Sequence, residues 1–269
     1  MRIATWNVNS LKARLPKVLR WLEDASPDVL CMQETKLADA AFPTMPFAAL
    51  GYEIAHHGEG RWNGVAIASR VGLAEVSQGF LAGEVSESDE ARLVTARCGG
   101  VRVSSVYVPN GRSLDSEQYP LKLAWLERLR GDLVDGVSPD DPIVVCGDFN
   151  IAPEDRDVFD ATKFVGATHV SPPERAALKA LTDWGLVDAF RQVYPDIENL
   201  FSWWDYRAGD FHQHRGMRID LLLVSRPLAA VVRYALVDRE ARKGMGSDAP
   251  PSDHAPVFVD LDWPAPLSS

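Results

Sequence analysis

Leu93-Val94-Thr95-Ala96-Arg97-Cys98-Gly99-Gly100-Val101-Arg102-Val103-Ser104-Ser105-Val106-Tyr107-Val108 reads as two apolar, β-branched runs separated by two glycines. Both central residues of a two-residue hairpin loop need positive φ, which glycine adopts without steric penalty, so the segment is an antiparallel hairpin. Outward from it, alternation and β-branched content mark strands near residues 2–8, 28–33, 52–56, 63–68, 143–146, 217–224 and 256–261. Helical spacing appears over residues 16–24, with Val18, Leu19 and Leu22 on one face and Pro16 in the first turn. It recurs over 121–133 (Leu121, Trp125, Leu129, Leu133) and over 173–184, opened by Pro172-Pro173-Glu174 and closed by Gly185. A hairpin among helices, without regular strand–helix alternation, predicts antiparallel or mixed sheets packed face to face with helices outside. No composition break marks a linker, so residues 1–269 are expected to form a single domain.

The 269 residues are 46% hydrophobic and 25% charged, a globular composition that excludes disorder as the main state. No apolar run nears the roughly 20 residues of a membrane-spanning helix, and the N-terminus enters a strand pattern directly. The expectation is a cytoplasmic protein without a membrane partner, and a monomer by default. Cys31, Cys98 and Cys146 are odd in number and each sits in an apolar run, which predicts buried free thiols. With 28 basic against 38 acidic residues the net charge is −10, which disfavours sequence-blind adhesion to DNA. It is compatible with carboxylates clustered around a cation and a local basic stripe facing a polyanion.

Several apolar runs end in acids or amides: Thr5-Trp6-Asn7-Val8-Asn9, Cys31-Met32-Gln33-Glu34-Thr35 and Val145-Cys146-Gly147-Asp148-Phe149-Asn150. Arg218-Ile219-Asp220 and Ser252-Asp253-His254 stand near the C-terminus. An isolated Asp or Asn after a strand commonly forms a turn or caps a helix. Gathered together without a balancing Lys or Arg, these groups repel unless a cation or substrate compensates. Hard oxygen donors without thiolate fit Mg²⁺ or Mn²⁺, and Asp-x-Asn at a strand end is expected to send both side chains to one face. No Ser occupies a Gly-x-Ser-x-Gly elbow, which argues against a serine hydrolase.

Trp6-Asn7-Val8-Asn9, Gln33-Glu34-Thr35-Lys36, Tyr107-Val108-Pro109-Asn110-Gly111, Gly147-Asp148-Phe149-Asn150, Trp184-Gly185-Leu186-Val187-Asp188, Arg218-Ile219-Asp220 and Ser252-Asp253-His254-Ala255-Pro256 resemble, in order, the motifs of the exonuclease III family of DNA-repair nucleases. That family lies within the endonuclease/exonuclease/phosphatase superfamily. The resemblance implies a four-layered α/β sandwich, two mixed β-sheets face to face with helices outside. It implies a Mg²⁺-dependent (or Mn²⁺-dependent) phosphodiesterase acting on double-stranded DNA with abasic sites or blocked 3′ ends, with 3′→5′ exonuclease activity. By position, Glu34 matches the principal metal ligand, with Asn7 beside it and Asp253 at the same site. Asp148 matches the residue that orients or deprotonates the attacking water, and Asn150 its partner. Asp148, Asn150 and His254 also stand as candidate ligands, since one ion or two is left open. Tyr107 and Asn110 match phosphate contacts, and His254, paired with Asp220, matches another.

For DNA recognition, Trp203 and Ile219 are the expected pocket for a base-free sugar, with Trp204 facing the other way. Arg112, Lys122, Arg207, Arg215 and Arg218 are candidate phosphate contacts. His212-Gln213-His214 and His56-His57 are read as surface, and residues 243–251 as a mobile loop. The competing readings are a superfamily phosphoesterase acting on a soluble or lipid phosphate ester, and a catalytically silent DNA-binding protein.

Overall fold

The computed structural model describes residues 1–80, 90–243 and 250–264, so residues 244–249 of the expected loop lie outside the described residues. In chain order come β1 (Arg2–Asn7), α1 (Leu11–Ala25), β2 (Val29–Gln33), α2 (Thr44–Ala49), β3 (Glu53–His57), β4 (Val65–Ser69), β5 (Ala74–Gln78) and β6 (Leu93–Cys98). Then follow β7 (Val101–Tyr107), α3 (Gln118–Gly136), β8 (Ile143–Asp148), α4 (Pro172–Trp184), β9 (Leu186–Asp188), α5 (Ala189–Val193), β10 (Asp220–Ser225), α6 (Arg226–Ala229), β11 (Val232–Val237) and β12 (Val257–Leu261). One sheet has the order β11-β12-β1-β2-β4-β3, and the other β5-β6-β7-β8-β10-β9.

Both faces of the central strands are buried, which builds four layers. In β8, Val144 and Cys146 enter the core between the sheets, where they meet Ile3, Val29, Cys31, Ile67, Leu222 and Val257. Ile143 and Val145 point the other way, into a core roofed by Leu126, Leu129 and Leu133 of α3 and Leu178 and Leu181 of α4. On the far side, Val18, Trp21 and Leu22 of α1 cover Trp6, Leu30 and Met32. The fold is the expected α/β sandwich of two mixed sheets with helices outside. The three cysteines are free and buried.

The hairpin forms as read, with Cys98 opposite Val101 and φ of 56° and 82° at Gly99 and Gly100. Strand β5 escaped the sequence reading because it is an exposed edge without apolar alternation. Strands β9 and β11 and helix α2 were likewise not expected. Helix α1 starts at Leu11, not Pro16, because Ser10 and Leu11 donate their N–H groups to the carbonyls of Glu34 and Thr35 (2.7 and 3.0 Å). Pro16 thus sits inside the helix on its exposed face. On α3 the expected stripe is displaced: Leu121 is exposed, and Leu126, Leu129 and Leu133 form the buried face.

Strand direction places the chemistry. β1 and β2 run parallel, as do β7 and β8, so Asn7, Gln33, Tyr107 and Asp148 close their strands at one end. β10 and β12 run antiparallel to these neighbours, so Asp220 and the residues before Val257 begin at that same end. Gly147 permits the close approach of β7 and β8, since a Cβ there would lie 1.9 Å from the Val106 carbonyl oxygen.

Arg218, expected at the DNA surface, is instead an internal cation. It is 1% exposed, with Nε on Asp157 (2.8 Å) and Nη1 on Asp188 (2.7 Å). Two acids, one from the loop after β8 and one from the end of β9, neutralise it in the interior. Asp157→Ala leaves that guanidinium short of a buried partner, and should lower the unfolding free energy by ~3–5 kcal/mol in denaturant titration. A loss below ~1 kcal/mol, the scale of an exposed pair, would refute the pairing.

Candidate active site

Asn7 ends β1 with its carboxamide between the sheets. Its Nδ2 donates to Glu34 Oε1 (2.8 Å) and to Asp148 Oδ2 (2.9 Å), one acid from each sheet. Glu34 follows β2 at φ 52°, a left-handed turn. Asp148 closes β8 and accepts the Asn150 amide on Oδ1 (2.9 Å). Asn150, also left-handed at φ 50°, does not continue the strand, so the expectation of two side chains on one strand face is not met. Its Oδ1 accepts from Asn110 Nδ2 (3.0 Å), and its Nδ2 donates to the Val108 carbonyl (3.0 Å).

His254 Nδ1 lies 2.8 Å from Asp220 Oδ2, and Nε2 faces Asp148 Oδ2 at 3.8 Å. Burial opposes charge on this ring, yet Asp220 and then Asp148 outweigh it and raise the imidazolium to about 10. Burial lifts the Asp148 carboxyl to about 7, because the pull of His254 and the Asn7 bond does not cancel desolvation and the nearby Asp220. Burial, then Glu34 and Asp148, raise Tyr107 well above the usual phenol range. Asp253 ends below the usual carboxylate range, since His254 and bonds from Asn9 Nδ2 (3.0 Å) and Trp203 Nε1 (3.2 Å) overcome its burial.

Glu34, Asp148 and His254 offer ligand atoms within 4.8 Å of one another. Around them stand the carboxylates of Glu34, Asp148, Asp220 and Asp253, with Lys36 on Glu34 and His254 on Asp148 and Asp220, an acid-rich group that a divalent cation would help to balance. The oxygen donors fit a hard cation, and the thiols are remote in the core. His254 belongs to this group by geometry, and Asp220 and Asp148 favour its charged imidazolium form. Asp253 accepts from Asn9 and Trp203, and the Asn150 carboxamide bonds Asn110 and the Val108 carbonyl.

A family model described as Endonuclease/Exonuclease/phosphatase family matches residues 4–254. The chain belongs to this family. It is 34% identical to the exodeoxyribonuclease III of Haemophilus influenzae over 97% of this chain and 100% of the relative. Among solved structures, an AP endonuclease from Archaeoglobus fulgidus superposes with a TM-score of 0.92 at 38% identity, over 97% of this chain and 99% of that one. A 3′ phosphatase from Neisseria bound to a product DNA hairpin gives 0.91 at 39% identity, over 98% and 100%.

Not every residue singled out by this family's motifs reaches the pit. Tyr107, Asn7, Glu34, Asp148, Asp220 and His254 converge there. Trp203 is half-buried beside Ile219 and Met217, while Trp204 packs on the opposite side with Phe201 and Phe211. Ile219 is 2% exposed, so it backs that cluster from within. Asn110, Arg112 and Arg207 are exposed, and Arg215 is tied to Asp210. Lys122, expected to meet phosphate, is wholly buried on Glu174. His56 is no surface residue either: its side chain is 5% exposed, and Nε2 meets Thr35 Oγ1 (2.8 Å). His212 and His214 are exposed and join no metal group among the described residues.

Two participants escaped the sequence reading. Lys36 Nζ pairs with Glu34 Oε2 (2.9 Å) and donates to Asn9 Oδ1 (2.6 Å), which overturns the expectation that no cation stands beside the acids. Gln33-Glu34-Thr35-Lys36 contained that signal, but only the left-handed turn at Glu34 folds the lysine back. His169 Nε2 lies 3.1 Å from Asn150 Oδ1, and nothing in its local sequence marked it.

Catalysis that needs ionised Asp148 and charged His254 has a bell-shaped pH profile. The rate should rise as Asp148 loses its proton at or below about 7, and fall as His254 loses its own at about 10. Asp220→Asn removes the anion that raises His254 and keeps the burial that lowers it. The alkaline limb in a pH–rate profile should then move down by about one pH unit or more, and a stationary limb would disconnect His254 from it.

Proposed function

We propose that the protein is a Mg²⁺-dependent (or Mn²⁺-dependent) DNA-repair phosphodiesterase. It cleaves duplex DNA 5′ to abasic sites, removes blocks from 3′ ends and digests 3′→5′. The observation that carries the reading is the pair of carboxylates Glu34 and Asp148, joined across the sheets by Asn7, with the Asp220–His254 dyad facing them. The names of the relatives, an exodeoxyribonuclease III, an AP endonuclease and a 3′ phosphatase, support the substrate class.

Glu34, with Asp148 beside it, would hold the cation, which supplies Lewis-acid stabilisation of the departing 3′-oxygen. Asp148, whose carboxyl lies at about 7, takes the proton of a water aligned for in-line attack. His254 presents imidazolium to the charge that develops on phosphorus-bound oxygen. Tyr107 remains a protonated phenol and donates a hydrogen bond to the same group. Asn110, exposed beside Asn150, supplies an amide donor at the rim. Trp203, Met217, Ile219, Val158 and Ala152 form an apolar cluster, with Phe164 and Val170 at its edge. An extruded sugar without a base finds apolar surface there, and Asp253 aligns Trp203 through the indole N–H. Arg112 and Arg207 are the exposed cations available to flanking phosphates.

No helix among the described residues is long and apolar enough to cross a membrane. We place the protein in the cytoplasm as a monomer.

Duplex oligonucleotides, intact or carrying one abasic analogue or a 3′-phosphate, test the reading. Turnover should vanish with EDTA and return with Mg²⁺, and Glu34→Gln or Asp148→Asn should each lower it roughly a hundredfold or more. Faster release of phosphate from a soluble ester than incision of DNA would assign a different phosphoesterase. Trp203→Ala should chiefly erode the preference for abasic over intact duplex, and an unchanged ratio would remove Trp203 from the pocket.

A further inference from the structure

Lys122 on α3 and Glu174 on α4 are both fully buried, with Nζ 2.5 Å from Oε1. Burying such a pair is seldom stabilising compared with apolar residues of the same volume, because desolvation offsets the attraction. Its place in the molecule therefore calls for a use other than stability. The three donors of the ammonium are all spent: one on Glu174, one on the Asn150 carbonyl (2.6 Å) and one on the Asn110 carbonyl (3.3 Å). Glu174 Oε1 also accepts from Thr168 Oγ1 (2.7 Å) and from the His169 amide (3.0 Å), while Oε2 accepts from the Ser171 amide (3.0 Å) and Oγ (2.5 Å).

The side chains of Asn110, Asn150 and His169, whose backbones meet at this pair, also touch one another at the rim of the pit (3.0–3.2 Å). Asn150 and His169 stand at φ 50° and 77°, conformations that need support from their surroundings. Capping α4 needs only the Ser171–Glu174 exchange, and leaves the lysine and its two carbonyls unexplained.

We propose that Lys122 and Glu174 are positioning residues: a buried ion pair that pins the backbones of Asn110, Asn150 and His169, and so holds the Asn110 carboxamide at the scissile phosphate and Asn150 beside Asp148. The inference rests on the proposed role of Asn110 at the phosphate. Neither partner touches DNA. Both act through the loops after β7 and β8.

The test is the double variant Lys122→Met/Glu174→Gln, which removes both charges and leaves no unpaired ion. Its thermal transition should remain cooperative. Single-turnover cleavage of a 3′-recessed duplex with Mg²⁺ should slow ~10–100-fold, the scale of a misplaced contact. Affinity for the same duplex in EDTA should change less than about threefold, because the phosphate-facing cations are intact. Added to Asn150→Ala, the pair of substitutions should cause no further loss. In the cation-free protein, the side-chain amide resonances of Asn110 and Asn150 should shift and broaden. Wild-type cleavage by the folded double variant, losses that multiply with Asn150→Ala, or unmoved amide resonances would each overturn the proposal. If the double variant does not melt cooperatively, Lys122→Gln, which leaves Glu174 a neutral donor, is read by the same amide resonances and rate. A wild-type chain without turnover on this duplex would sink the nuclease reading, while the resonances still decide whether the pair positions Asn150.

Discussion

One carboxamide holds two acids together. Glu34 and Asp148 come from different sheets and repel each other, and the Asn7 amide donates a hydrogen bond to each. That bridge is possible only because β1 and β2 run parallel, β7 and β8 do the same, and both pairs end on one edge of the sandwich. A register slip of one residue in either pair would turn an acid into the apolar core, where its charge has no partner. The site therefore depends on sheet register as much as on residue identity.

The protonation pattern follows from the same packing. Asp148 and His254 are buried alike, but Asp220 lies against the imidazole and repels the Asp148 carboxylate. Asp220 thus raises both groups, Asp148 on top of its burial and His254 against it, leaving one group near neutrality and a cation that survives well above it. Lys36 and His254 neutralise part of the acidic pit.

Much of this was legible in the chain. The glycine pair between two apolar runs declared its hairpin, and acids or amides at the ends of apolar runs marked Asn7, Glu34 and Asp148. Elements without apolar contrast stayed hidden: β5 is an exposed edge, and α1 begins in residues whose first turn is bonded by another loop. Cations were the least legible. Arg218, Lys122 and Arg112 look alike in sequence, yet the first two are sealed in ion pairs and the third is exposed. A guanidinium or ammonium carries no local mark of whether an acid will meet it.

Residue order alone therefore settled the class of fold, the family motifs and the oxygen-rich chemistry, because alternation, turn glycines and strand-end acids are local properties. Packing decided which acids meet, which ring sits against an acid and which basic side chains reach solvent. Those outcomes depend on distances of a few ångströms between residues more than a hundred positions apart, such as Asn7 and Asp148, and on burial that only the closed sandwich creates.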